Sequence, residues 1–130
     1  MKVRGSGSVV LFSSMYGIVV PDPRIYHDPM APNPVDYGAS KAAILQLSRY
    51  LAMHYGPDGI RFNCITPGPF PSLTVQKNHP AFISELRQKT VLHRIGQNPE
   101  IVGPTLFLLT DSASFVTGHN LVVDGGWTIW

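Results

Sequence analysis

The sequence predicts an α/β fold built on a parallel sheet of about three strands with flanking helices. Three observations carry this: short apolar runs lack alternation, a long proline-free stretch with helical spacing follows the first run, and further helical stretches precede the last. Val9-Val10-Leu11-Phe12 is an unbroken apolar run between a Gly/Ser cluster and Ser13-Ser14, the pattern of a strand buried on both faces. From Ile18 to Val35 five prolines (Pro21, Pro23, Pro29, Pro32, Pro34) exclude a helix or a central strand, so this segment reads as a loop. Asp36 to Tyr55 has no proline, sets Ala39, Ala43, Leu47, Tyr50 and Leu51 at helical spacing, and stops at Gly56-Pro57. Asp36 suits the positive end of that helix. Ile60 to Thr66 reads as a second strand broken by Pro67-Gly68-Pro69. A mobile segment is expected next, then helices near Ala81 to Lys89 and Glu100 to Leu109, and a last strand Leu121-Val122-Val123 running into Asp124-Gly125-Gly126. Strands separated by helices imply parallel crossovers.

Composition excludes several classes. The 130 residues suffice for one small domain, and 44% hydrophobic content allows a real core. A net charge of +2 with 14% charged residues provides no basic stripe for nucleic acid. No stretch approaches the roughly 18 apolar residues of a membrane span. The single cysteine, Cys64, cannot form an intrachain disulfide and reads as a buried thiol in a strand, which makes a reducing cytoplasmic setting the default. No metal-ligand cluster is evident, and His54, His79, His93 and His119 are too scattered to assign to chemistry.

Tyr37-Gly38-Ala39-Ser40-Lys41 puts a phenol and an ammonium four residues apart, hence on one face of a helix. A phenol is a ready proton donor, and a neighbouring cation stabilises its conjugate base, so the pair can move a proton on or off an alcohol oxygen. The spacing recurs by chance in many chains. Its weight here comes from place: ligands of open α/β sheets bind beyond the carboxyl ends of the strands. Those ends deliver Ser13-Ser14, Pro67-Gly68 and Asp124-Gly125-Gly126, and the Tyr37 helix begins at the same edge.

With these motifs, Ile60-Arg61-Phe62-Asn63-Cys64-Ile65-Thr66-Pro67-Gly68 and Asp111 to Gly118 among them, the chain resembles the C-terminal catalytic half of a short-chain dehydrogenase/reductase, a Rossmann-like doubly wound sheet. The resemblance implies NAD or NADP as cofactor and a secondary alcohol or ketone as substrate. Tyr37 would be the general acid/base, Lys41 would hold the nicotinamide ribose and favour the phenolate, and Ser14, with Ser13 as the alternative, would orient the substrate oxygen. Pro67, Gly68 and Phe70 would border the nicotinamide, the segment up to about Lys89 would cover the substrate, and Asp124 to Gly126 would be a structural turn. A homo-oligomer is implied, through the Tyr37 helix and through a C-terminal strand with exposed Trp127 and Trp130.

Two departures from the family pattern stand out. Ser14 and Tyr37 are separated by an insertion rich in Pro and aromatics (Val20-Pro21-Asp22-Pro23-Arg24-Ile25-Tyr26-His27), expected to bulge outward and reshape the pocket rim. With the Trp127-Thr128-Ile129-Trp130 ending it resembles a bacterial subgroup of surface-polysaccharide and acidic-sugar biosynthesis, although Arg24 and His27 themselves read as solvated loop residues. The family's Gly-rich phosphate turn is also absent, since Gly5-Ser6-Gly7-Ser8 precedes a strand instead of following one. Residues 1–130 are therefore expected to be a partial domain without its nucleotide-binding half, an inactive fragment by itself, with Val9 to Phe12 left as an apolar edge. Two other readings remain: a non-catalytic interaction module, and a sugar-nucleotide epimerase or dehydratase.

Overall fold

Asn63, Cys64, Ile65 and Thr66 are four consecutive residues without solvent exposure, and they mark the centre of the sheet. They belong to β2 (Ile60–Pro67), which pairs in parallel with β1 (Gly7–Phe12) on one side and β3 (Asn120–Val123) on the other. A computed structural model describes all residues, 1–130. Register runs Gly7 opposite Ile60 to Phe12 opposite Ile65, and Cys64 opposite Asn120 to Pro67 opposite Val123, so all three strands end at one edge of the sheet, β1 two residues short of the others. The three-strand parallel sheet with flanking helices agrees with the sequence, and each strand and long helix lies within two residues of its expected limits.

The long helix α1 (Val35–Tyr55) follows β1, with Asp36 in its first turn and Gly56 after its last. Between β2 and β3 come α2 (Leu73–Asn78), α3 (Pro80–Gln88) and α4 (Pro99–Leu109). The segment expected to be mobile thus contains a short helix, started by Ser72, whose hydroxyl accepts from the Val75 amide. No helix is long and apolar enough to cross a membrane.

Strand alternation divides the packing between two faces. Ile65 and Val10 join Leu108 of α4 and Ala113 in one apolar cluster. Cys64 points the other way, close enough to α1 for the Lys41 charge to act on it, while burial pushes its thiol pKa up. The buried polar residues of β2 latch the chain entering β3. Asn63 donates to the Val116 carbonyl (2.9 Å) and accepts from the His119 amide (3.0 Å), and Thr66 donates to Asn120 Oδ1 (2.7 Å). β1 and β3 are the sheet's edges, and Phe12 at the end of β1 is exposed.

A second cluster, beyond the strand ends, contradicts two expectations. Ile25, from the Pro-rich insertion, is buried against Ile83, Leu86 and Trp127, together with Met15 and Tyr16. The insertion packs inward instead of bulging out, because its Pro23–Ile25 turn carries an isoleucine into an apolar gap above α3. Trp127 is likewise core, only 5% exposed. Trp130 alone of the two is exposed, with its indole N–H donating to the Lys89 carbonyl (2.9 Å).

Candidate active site

The strand ends at that edge set the frame. Ser13 extends the β1–β2 ladder by one bond, its amide donating to the Ile65 carbonyl (2.8 Å), and its hydroxyl donates to the Lys41 carbonyl (2.7 Å). This bond fastens the end of β1 to the second turn of α1. Ser14 comes next and caps the Met15–Gly17 turn, its Oγ accepting from the Tyr16 amide (3.2 Å). A hydroxyl used as an acceptor keeps its own hydrogen, and that of Ser14 has no acceptor within the chain. The hydrogen of Ser13 is committed to α1.

α1 approaches this turn closely because Gly38 has no side chain. A Cβ at that position would stand 2.9 Å from the Tyr16 carbonyl oxygen. The contact brings the neighbouring Tyr37 to the same cavity as Ser14. The Tyr37 hydroxyl makes no hydrogen bond inside the protein. Lys41, one turn along, donates from Nζ to the Phe12 carbonyl (3.1 Å) and lies 5.8 Å from the centre of the Tyr37 ring. Only one of its three N–H groups is spent there.

The cavity measures about 350 Å³, and Ser14, Tyr37, Gly68 and Phe70 all line it. Gly68 is needed for a close approach: a Cβ there would fall 2.4 Å from Asp124 Cα, while its amide donates to the Val123 carbonyl (2.9 Å). Pro67 does not line the cavity; it is the last residue of β2, opposite Val123. Asp124 is structural, accepting from the Gly126 amide through Oδ1 and from the Thr128 amide and hydroxyl through Oδ2.

Reading the sequence missed the opposite wall. Tyr16 and Tyr26 line the cavity with their hydroxyls 2.6 Å apart, and Tyr26 packs on Phe82 with ring centres at 5.1 Å. Burial raises both phenol pKa values; for Tyr16 the bond to Tyr26 adds to the rise. Asp22 secures the segment that carries Tyr26, pairing with Arg24 and with Lys89 at the end of α3. These two cations, Arg24 first, hold its carboxyl below the usual carboxylate range. A Tyr beside Ser14 was visible in the sequence, but the long-range partner in a Pro-rich loop was not.

A family model described as enoyl-(acyl carrier protein) reductase matches residues 1–128. The chain belongs to the short-chain dehydrogenase/reductase family. It is 36% identical to galactitol 2-dehydrogenase (L-tagatose-forming) of Cereibacter sphaeroides, an alignment covering 100% of this chain and 49% of that enzyme. Among solved structures, a short-chain dehydrogenase from Leptospira borgpetersenii with bound NAD+ superposes with a TM-score of 0.85 at 38% identity, over 98% of this chain and 47% of that one. A gluconate 5-dehydrogenase from Burkholderia cenocepacia, in complex with NADP and tartrate, gives 0.83 at 27% identity, over 99% and 48%. The chain spans about half the length of the relatives it matches.

Proposed function

We propose that these residues form the substrate-binding and proton-transfer half of an NAD(P)-dependent oxidoreductase that interconverts a secondary alcohol and a ketone. The observation that carries the reading is one cavity lined by Tyr37, with its unpartnered hydroxyl, and by Ser14, with its available hydroxyl hydrogen, while the Lys41 ammonium stands outside that lining, one turn along α1 and 5.8 Å from the Tyr37 ring. The donor set fits the nicotinamide-ribose end of the cofactor, since Lys41 has two N–H groups left beside the Tyr37 phenol. Gly68 and Phe70 offer the adjoining surface, with Pro67 behind them. The phosphate end has no counterpart among these residues: β1 and β2 lead into Ser13-Ser14 and Pro67-Gly68-Pro69, not into a Gly-rich turn. A complete cofactor site therefore requires a nucleotide-binding half in addition.

A nicotinamide held beside Tyr37 and Lys41 would supply the hydride chemistry, as acceptor from the carbinol carbon in oxidation and donor to it in reduction. The chain's residues manage the oxygen. Ser14 donates a hydrogen bond to it, Tyr37 as phenolate accepts the alcohol proton during oxidation and as phenol gives it back during reduction, and the Lys41 charge favours the phenolate that starts the first event and results from the second. Ser14 suits the orienting role better than Ser13 because the Ser13 hydrogen is bound to the α1 backbone. The relatives being dehydrogenases supports hydride transfer over epimerisation, dehydration or a purely structural module. A cytosolic setting fits the single buried cysteine, and self-association through α1 fits its exposed Leu47, Tyr50 and Met53.

The test follows nicotinamide absorbance while a protein containing these residues, joined to a nucleotide-binding half, is offered galactitol and other secondary alcohols. Tyr37→Phe is expected to lower turnover by about 10²- to 10⁴-fold, and Ser14→Ala to lower it much more than Ser13→Ala when both variants remain folded. Full turnover by Tyr37→Phe would refute the assignment.

A further inference from the structure

We propose that the Tyr16–Tyr26 pair is a second oxygen-binding post in the substrate cavity, and that the pair determines specificity for a neutral substrate carrying a second oxygen on a largely apolar frame. The inference rests on the oxidoreductase reading of the site. Both tyrosines line the cavity that holds Ser14 and Tyr37. Each hydroxyl makes a single hydrogen bond, to the other, at 2.6 Å. One hydrogen is consumed by that bond, so the pair retains one O–H donor without an acceptor in the protein. An unspent donor beside an apolar cavity is costly unless a ligand or water meets it.

The post is also held in place. Tyr16 is buried and its amide is bound by Ser14 Oγ, so the pair is coupled to the residue that faces the reacting oxygen. Tyr26 is fixed by Phe82 on α3 and by its neighbour Ile25, buried in the core. A rigid donor loses little freedom on binding, and it rejects ligands that leave it unpaired.

The remaining lining restricts the ligand class. Met15, Met30, Val75, Phe82 and Leu86 supply apolar walls, Asn33 adds a neutral polar side chain, and no Lys, Arg, His, Asp or Glu borders the cavity. Arg24, in the insertion, pairs with Asp22 through Nε and Nη2 and is exposed to solvent, away from the cavity lining. A carboxylate or phosphate would lose its hydration there without a compensating charge. Neutral diols, hydroxyketones and alkoxy alcohols fit.

Binding to the full chain is measured by titration calorimetry and ligand-observed NMR, with cyclohexanol, the cyclohexanediols and a hydroxycyclohexanecarboxylate as probes. At least one diol should bind the wild-type protein about 3- to 10-fold more tightly than cyclohexanol, and the carboxylate should bind worst. The Tyr16→Phe, Tyr26→Phe double variant, which removes both O–H donors, should abolish the diol preference. A fluorotyrosine label at position 26 in the otherwise unaltered protein should shift with the preferred diol and not with cyclohexanol, which keeps the test independent of the variant's folding. Equal affinity for diols and cyclohexanol, a preference that survives in the double variant, or tightest binding of the carboxylate overturns the post and leaves the oxidoreductase reading standing. If no alcohol binds the wild-type protein, the post falls, and the oxidoreductase reading is decided separately by turnover of these residues joined to a nucleotide-binding half.

Discussion

Ile25→Ala addresses the packing on which the cavity wall depends. The Ile25 side chain is 3% exposed and lies among Ile83, Leu86 and Trp127, with no polar contact to lose. The substitution removes three carbons, worth about 2.4 kcal/mol in transfer free energy at about 0.8 kcal/mol per methylene. Incomplete collapse of the gap adds about 1 kcal/mol for every 40 Å³ left empty. The insertion is anchored elsewhere by Asp22 and Tyr26, so it cannot simply settle into the space. A loss of about 3 to 4 kcal/mol is therefore expected, with a melting midpoint lower by about 10 to 20 °C. Urea unfolding followed by circular dichroism measures the first quantity, with the denaturant slope checked for constancy. A loss under about 1 kcal/mol would refute the reasoning, because it would mean that the insertion rides on the surface and that α3 and Trp127 close the core without it.

Other consequences can be measured directly. Gly68→Ala drives a methyl group into the Asp124 backbone, and at least about 1 to 3 kcal/mol of stability should be lost, read by the same unfolding curves. Tyr16 and Tyr26 have raised pKa values, so the unfolded chain ionises first; their contribution is complete below the ordinary phenol pKa and is lost as pH rises through the folded values. Phenolate absorbance should thus show a late-titrating component in the native protein that disappears in the Tyr16→Phe, Tyr26→Phe double variant. Asp22 is depressed, so its contribution is present above the ordinary carboxylate pKa and is lost as pH falls below it. Asp22→Asn should flatten that acid limb of stability and speed proteolysis between residues 18 and 34. Glu100 is held at about 2, chiefly by Arg94, and Glu100→Gln should likewise remove acid sensitivity from the α4 start.

The sheet was legible in the sequence because local pattern decides it. Val9 to Phe12 lacks alternation, as suits a strand covered on both faces, and Pro67-Gly68-Pro69 ends the second strand because its two prolines have no N–H to donate. The Tyr37 and Lys41 pair was legible for the same reason, a fixed offset along one helix. The wall opposite them was not. Proline density in residues 18–35 correctly excluded regular structure, yet it says nothing of where a loop packs, and the burial of Ile25 depends on a gap between α3 and Trp127 far along the chain. Trp127 misled for a related reason: closeness to the C-terminus argues for exposure, whereas the Asp124 clamp on Gly126 and Thr128 turns the chain back into the core.

The bond from the Ser13 hydroxyl to the Lys41 carbonyl spans 28 positions and bypasses everything between. With the end of β1 tied directly to α1, the distance from Ser14 to Tyr37 is set by this strut and by the contact at Gly38, not by the length of the connecting chain. The intervening segment beyond the Met15–Gly17 turn is thereby released from positioning the proton-transferring groups. It behaves as an exchangeable cassette: its length and side chains can be redrawn to recognise a different molecule while the chemistry at its two ends keeps its geometry.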